Sequence, residues 1–165
     1  MQNGTIVTNA ALAGIGVLPQ IAIVCAMAVI VVMMVLQHRI RMKSLREHHL
    51  ATHPSLSNDE FLQQIKVPVG LVTIATGVRQ SVARAMGVPV ESVYPSDTLE
   101  YICQFGFDNM DFVEIVVEIE QTLGVPFVDS FWDPLFPANK TLNDVHLGDL
   151  TKVIAANWTA LSAGI

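Results

Sequence analysis

Few residues of this chain are of the types that act as metal ligands or as catalytic bases. His49 and His53 are four residues apart, with His48 adjacent, and this spacing would place two imidazoles on one helix face, as in some zinc sites. No third strong ligand stands nearby in the sequence, so we predict solvated polar residues. After Ser57 the only histidine is His146, which has no obvious nucleophile beside it and is predicted to be a surface or capping residue.

Acidic side chains form the second chemically meaningful pattern. Asp111, Glu114 and Glu118 fall at positions i, i+3 and i+7, which places them in one stripe along a helix. Like charges on one helix face repel by a few tenths of a kcal/mol per pair. A partner with a basic surface would relieve this repulsion and speed association. A solvated helix face would show the same spacing, and both interpretations stay open on spacing alone.

The charges are distributed along the chain in three zones. Residues 1–37 contain no charged side chain, residues 38–56 carry a formal charge of +3, and residues 57–165 carry −9 from five basic and fourteen acidic residues. An acidic domain repels phosphates, so nucleic acid is not an expected partner. Cys25 and Cys103 form no CxxC pair and suggest no disulfide framework, and we predict packed thiols.

Residues 18–37 are predicted to cross a membrane as a single helix and to contact its lipid. The segment is uncharged and about 20 residues long, the length that spans the hydrocarbon core. No basic residue precedes it, which disfavours a cleaved signal peptide. The basic residues follow in a juxtamembrane helix and linker, residues 38–56. The positive-inside rule therefore places the short tail, residues 1–17, outside and the C-terminal domain, residues 57–165, in the cytoplasm.

Residues 57–165 are predicted to form a small all-α bundle. Ser57 and Glu60 have the spacing of a capping box. Apolar residues recur at intervals of three and four, which indicates helices with one buried face. We predict a short helix that begins at Ser57, with Pro68 either ending it or starting the next one. Further helices are predicted at about 69–86, 109–123 and 145–158, separated by a loop at 88–107 and an aromatic, proline-rich connection at 127–140. In the third of these helices the residues expected to face inward are Met110, Val113, Val116, Val117 and Ile119.

The segment from Phe105 to Phe127 resembles the central motif of the acyl carrier protein family. In that family Gly-x-Asp-Ser-Leu-Asp opens the second helix, and an apolar and acidic helix follows. The residues in register with this pattern are Gly106, Asp108, Met110, Asp111, Val113, Glu114, Glu118, Leu123 and Gly124. The flanking segments resemble the family's first and closing helices, so the resemblance covers about 69–156. It implies an acyl-carrier-like four-helix bundle, which would follow the transmembrane helix predicted from residues 18–37.

Asn109 departs from the family pattern at the position that carries the chemistry. In the family, the hydroxyl of the motif serine attacks coenzyme A and receives the 4′-phosphopantetheine. A carboxamide has no hydroxyl to form that phosphodiester. The resemblance therefore implies that the chain carries no phosphopantetheine and no other cofactor. Asn109 is then either a plain helix N-cap, a role that Asp108 could share, or a cap that also contacts a partner.

The family's acidic second helix docks against basic patches on partner enzymes. By resemblance, the predicted partner-binding residues are Asp108, Asn109, Met110, Asp111, Glu114 and Glu118. The aromatic stretch containing Phe131, Trp132 and Phe136 departs from the more polar sequence usual in the family. These rings either fill core space that an acyl chain would occupy in a true carrier, or form an exposed contact for a partner or the bilayer.

Three hypotheses of function follow. The first is a non-enzymatic, membrane-tethered docking module that serves as an accessory subunit of a larger membrane complex. The second is a membrane-bound acyl carrier in lipid or fatty-acid synthesis, with an unorthodox attachment or a non-covalent cargo. The third is a small hydrolase or metalloenzyme. The third lacks a convergent nucleophile and base or a set of metal ligands, so we predict neither an enzyme nor a metal site.

Overall fold

A computed structural model describes residues 9–106, 112–128, 131–137 and 139–162, with side chains from residue 22 to residue 159 within those ranges. The described residues form helices and connecting turns, with one isolated β-bridge between Thr98 and His146. This confirms the predicted all-α fold class. The helices are α1 (Asn9–Thr52), α2 (Asn58–Ile65), α3 (Val72–Met86), α4 (Leu99–Cys103), α5 (Phe112–Leu123) and α6 (Leu147–Ser162).

The chain divides into two compact units, residues 1–41 and residues 42–165. The first unit consists of α1 up to Arg41, and its helix begins at Asn9, inside the predicted tail at 1–17. Residues 1–8 lie outside the described part. The apolar side chains from Ile23 to Leu36 are largely exposed, which lipid favours and water opposes. By length and composition α1 is able to cross a membrane near the N-terminus.

The second unit has one apolar core with α3 at its centre. α3 begins at Val72 after a 3-10 turn, Val69–Leu71, and ends at Gly87, which has a φ of 66°. The predicted capping box at α2 is confirmed, because the Glu60 amide donates to Ser57 Oγ at 3.2 Å and the Ser57 amide donates to Glu60 Oε2 at 2.9 Å. Helices α2, α3, α5 and α6 contribute most of the core, and their buried side chains include Phe61, Ile65, Ala75, Val78, Val82, Met86, Ile115, Ile119, Leu147, Leu150 and Ile154.

The predicted loop at 88–107 is wrong in one respect, because it contains α4. Thr98 caps this helix by accepting a hydrogen bond from the Tyr101 amide at 3.2 Å. Leu99 and Ile102 are buried, at 0% and 1% exposure. A helix of five residues is too short to show a 3.6-residue period in the sequence. The burial of these two side chains is seen only in the folded structure.

The prediction of solvated histidines is wrong for His49. Its side chain is 0% exposed, whereas His48 is exposed and His53 is half-buried. The reason is that the last turns of α1, from residue 42 onward, belong to the second unit, whose core also contains Met42. His146 is exposed, and its Nδ1 lies 2.8 Å from the Ser96 carbonyl oxygen, as expected for a surface residue.

Candidate protein-docking surface

The buried side of α5 fixes which of its residues face outward. Ile115 and Ile119, one turn apart, are 4% and 0% exposed and pack into the core. α3 contacts α5 closely at Gly77, where a Cβ atom would stand 2.8 Å from Leu123 Cδ2. A larger residue at position 77 would require the Leu123 side chain to shift.

The C-terminal end of α5 is also defined by specific contacts. The helix ends at Gly124, which has a φ of 70° and donates its amide to the Glu120 carbonyl at 2.8 Å. The Glu120 carboxylate then accepts a hydrogen bond from the Phe127 amide. These contacts set the direction in which the chain leaves α5 toward the aromatic connection.

Two valines predicted to face inward are instead on the outside of α5. Val113 is 64% exposed and Val117 is 40% exposed. Both lie two residues from Ile115, about 200° around the helix, so they cannot share its buried face. Glu114 and Gln121 are exposed beside them. We call Val113, Glu114, Val117 and Gln121 the outer face of α5.

The predicted acidic stripe is partly neutralised within the molecule. Arg84 Nη1 of α3 lies 2.8 Å from Glu118 Oε1 and also donates to Thr122 Oγ1 at 3.3 Å. Glu114 is exposed one turn before Glu118. Of the residues predicted to bind a partner, these two are within the described part. The others lie outside it, namely Asp108, Asn109, Met110 and Asp111.

An aromatic cluster lies against the first residue of α5. The Phe112 ring packs edge to face on Trp132 and Phe136, with ring centroids 5.1 and 5.5 Å apart. Phe131 stacks on Phe127 at 4.6 Å and is only 6% exposed, which favours the core interpretation for this ring. Trp132 and Phe136 are half-buried and pack against the core.

A family model described as the phosphopantetheine attachment site matches residues 76–130. This match supports the resemblance of the helical domain to the acyl carrier protein family. The match covers a third of the chain and runs from within α3, through α4 and α5, into the aromatic connection. No curated protein and no solved structure matches the chain.

The match to this family bears on what the outer face of α5 could bind. Acyl carrier domains are typically non-catalytic and usually interact with partner enzymes. The register that puts Asn109 at the attachment position still depends on the sequence motif, and it stays a prediction. Within the described residues, no three His, Cys, Asp or Glu side chains are grouped so that they could hold a metal ion.

Sequence reasoning missed the outward valines and the Arg84–Glu118 ion pair. The signal for the valines was present, because five of the six residues from Phe112 to Val117 are apolar and cannot all face one side. The ion pair joins residues 34 positions apart and had no local signal.

Proposed function

We propose that the chain is a non-enzymatic, membrane-tethered docking module of the acyl carrier type and an accessory subunit of a larger membrane complex. Residues 18–37 would cross the bilayer and hold the helical domain on its cytoplasmic side. Tethering at one membrane raises the effective concentration of two partners without any new contact. The domain would then act by binding a protein and not by carrying a group.

The observation that carries this proposal is the composition of the outer face of α5. A valine gains free energy when it is buried, at about 25 cal/mol for each Å² removed from water. Two β-branched side chains exposed on one short helix, beside Glu114, therefore favour a partner that covers them. Aliphatic contact would supply affinity, and the carboxylate would orient the partner.

The charges indicate a partner with a basic surface. Arg84 already pairs with Glu118 at 2.8 Å, so the Glu118 carboxylate attracts a basic partner less strongly than the sequence suggested. Glu114 remains exposed, and the motif places Asp108 and Asp111 at the same end of the helix. A basic residue of the partner would meet this N-terminal half of α5 first.

The half-buried rings next to α5 extend the proposed surface. Trp132 and Phe136 contact Phe112 and are only half-buried, and Trp is enriched among the residues that contribute most to binding energy. Phe131 is omitted from the surface because it is 6% exposed. The loss of the reactive serine at Asn109 fits a role in which docking is kept and group transfer is not.

A pull-down from membranes solubilised in mild detergent tests the proposal. We expect the wild-type chain to recover a stoichiometric membrane assembly, and the double variant Glu114→Lys/Val117→Ser to lose at least about tenfold of it, since about 1.4 kcal/mol is tenfold in affinity. The matched control is Glu100→Lys, which makes the same charge change at an exposed residue of α4. If the wild-type chain is recovered alone, or if both variants lose the partner equally, the proposal is wrong.

A second candidate is a membrane-bound acyl carrier with an unorthodox attachment or a non-covalent cargo, and the phosphopantetheine-attachment match at residues 76–130 supports its carrier-like module. Purified full-length chain would then retain a lipid. Organic extraction followed by mass spectrometry measures this directly. An acyl species near one equivalent would support the carrier role, and lipid at the level of an unrelated single-span protein would exclude it.

A further inference from the structure

The last turns of α1, residues 42–52, pack on the bundle within the second unit. Met42 is 6% exposed, and Leu45 lies partly buried against the core. Arg46 Nε donates to the Met86 carbonyl at 2.9 Å, and its guanidinium covers Gly87 so closely that a Cβ atom there would collide with it. We call residues 42–52 the docked segment. It ends on a group of titratable side chains.

His49 is the most enclosed of these side chains, at 0% exposure. Its Nε2 lies 3.0 Å from the Ser92 carbonyl oxygen, and its Nδ1 lies 2.9 Å from the Tyr101 hydroxyl oxygen. A carbonyl oxygen only accepts hydrogen bonds, so Nε2 carries the proton and Nδ1 accepts from Tyr101 O–H. The neutral imidazole therefore satisfies both of its nitrogens where it lies.

The groups facing His49 come from α1 and from the chain around α4. The His53 ring stacks on it with centroids 4.0 Å apart, and His53 Nε2 lies 3.0 Å from Asp97 Oδ1. Tyr101 faces it directly, and His48 is adjacent on α1. Burial lowers the pKa of His49, the charge of His53 lowers it further, and Asp97 opposes both effects.

We propose that His49 is a pH-sensitive switch whose protonation releases the docked segment from the bundle. A proton on Nδ1 would reverse the Tyr101 hydrogen bond and leave a positive charge in an enclosed site against the His53 ring. Once the segment is released, the imidazolium is hydrated and the free-energy cost of burying its charge disappears. The inference does not depend on the proposed docking role, because all of these contacts are internal to the second unit.

The sign of the pH dependence follows from linkage. The released segment binds a proton with the ordinary histidine pKa of about 6.5, and the docked segment binds it more weakly. Docking is therefore at full strength above about pH 6.5 and weakens as the pH falls below that value. In that range the ratio of released to docked molecules rises by up to about tenfold for each pH unit.

Distances between spin labels on the full-length chain in lipid nanodiscs test this directly. Labels at the exposed residues Glu47 and Glu100 report on the docked segment and on α4, in a Cys25→Ser/Cys103→Ala background. We expect one distance at about pH 8 and a second, broader population that grows below about pH 6.5. His49→Gln should abolish this growth, because an amide can still donate to Ser92 and accept from Tyr101 but does not titrate in this range. The matched control, His48→Gln at the adjacent exposed position, should behave like the wild type.

A distance distribution that does not change between about pH 8 and pH 5 in the wild type overturns the proposal. So does a His49→Gln variant that opens with acid as the wild type does. If the segment is undocked at every pH in His49→Gln, the proposal is tested instead by an NMR titration that follows the ring carbons of His49 in the unsubstituted chain. The midpoint of His49 must then coincide with the release measured by the labels, and separate midpoints contradict the proposal.

Discussion

Arg79 has an unusual environment for an arginine, because it is 1% exposed and its hydrogen bonds go to main-chain oxygens. Its Nε donates to Val93 at 3.1 Å and its Nη2 donates to Leu56 at 2.9 Å. The guanidinium also lies 4.4 Å from the centroid of the Phe61 ring. Burial lowers the pKa of Arg79, yet an arginine keeps its charge at neutral pH. One side chain thus joins α3 to the start of α2 and to the chain before α4.

Arg79→Met should lower the free energy of unfolding by about 3 kcal/mol, because it leaves buried carbonyl oxygens without donors. The control is Arg84→Met, the same substitution on the same helix. The Arg84 side chain is 60% exposed, so loss of its ion pair with Glu118 should cost at most about 1 kcal/mol. Thermal unfolding followed by near-ultraviolet circular dichroism in detergent measures both variants. Equal losses in the two variants would contradict this role for Arg79.

At the scale of elements, two helix ends differ in how well their residues suit the backbone. Lys66 ends α2 with a φ of 55°, a conformation that a side chain disfavours, and Gly124 ends α5 with a φ of 70°. Lys66→Gly should therefore stabilise the domain and Gly124→Ala should destabilise it, each by up to about 1 kcal/mol. Urea denaturation of the two variants checks the opposite signs. If the stability of both variants changes in the same direction, effects other than the backbone φ angle dominate.

Four helices of the bundle, α2, α3, α5 and α6, could be predicted from the sequence because each shows an apolar period or a cap. The Ser57–Glu60 capping box and the end of α3 at Gly87 are local signals, and the structure bears them out. α5 was harder, because its apolar residues occur on both sides and the period does not say which side is buried. In the structure α5 packs on α3, and Ile115 and Ile119 are its buried pair, at 4% and 0% exposure.

The buried histidine could not be predicted, for a physical reason. His49 lies in a polar, basic stretch that has no apolar period, and its partners Ser92 and Tyr101 are more than 40 residues away. Such contacts arise from tertiary packing and leave no trace in local spacing. The same holds for Arg79, whose partners at residues 56 and 93 flank it from two other segments.

At the scale of the whole molecule, the apolar part of α1 is long enough to cross a membrane, and we propose that it does. Val29→Arg should reduce insertion, since an arginine at the centre of a spanning helix costs about 2.5–3.5 kcal/mol on insertion scales. Gln37→Arg is the control, because the same residue at the end of the segment can reach the interface. Extraction of membranes with alkaline carbonate separates inserted from peripheral chain. We expect Val29→Arg to shift toward the soluble fraction and Gln37→Arg to stay with the wild type.

We propose that the chain keeps an acyl carrier scaffold without its attachment chemistry. The intact mass of the full-length chain, after co-expression with a broad-specificity phosphopantetheinyl transferase, tests this claim most directly. We predict an unmodified mass for the wild type and the addition of one phosphopantetheine to Asn109→Ser, which restores the hydroxyl that the motif requires. A wild-type chain that gains the same group would contradict the claim.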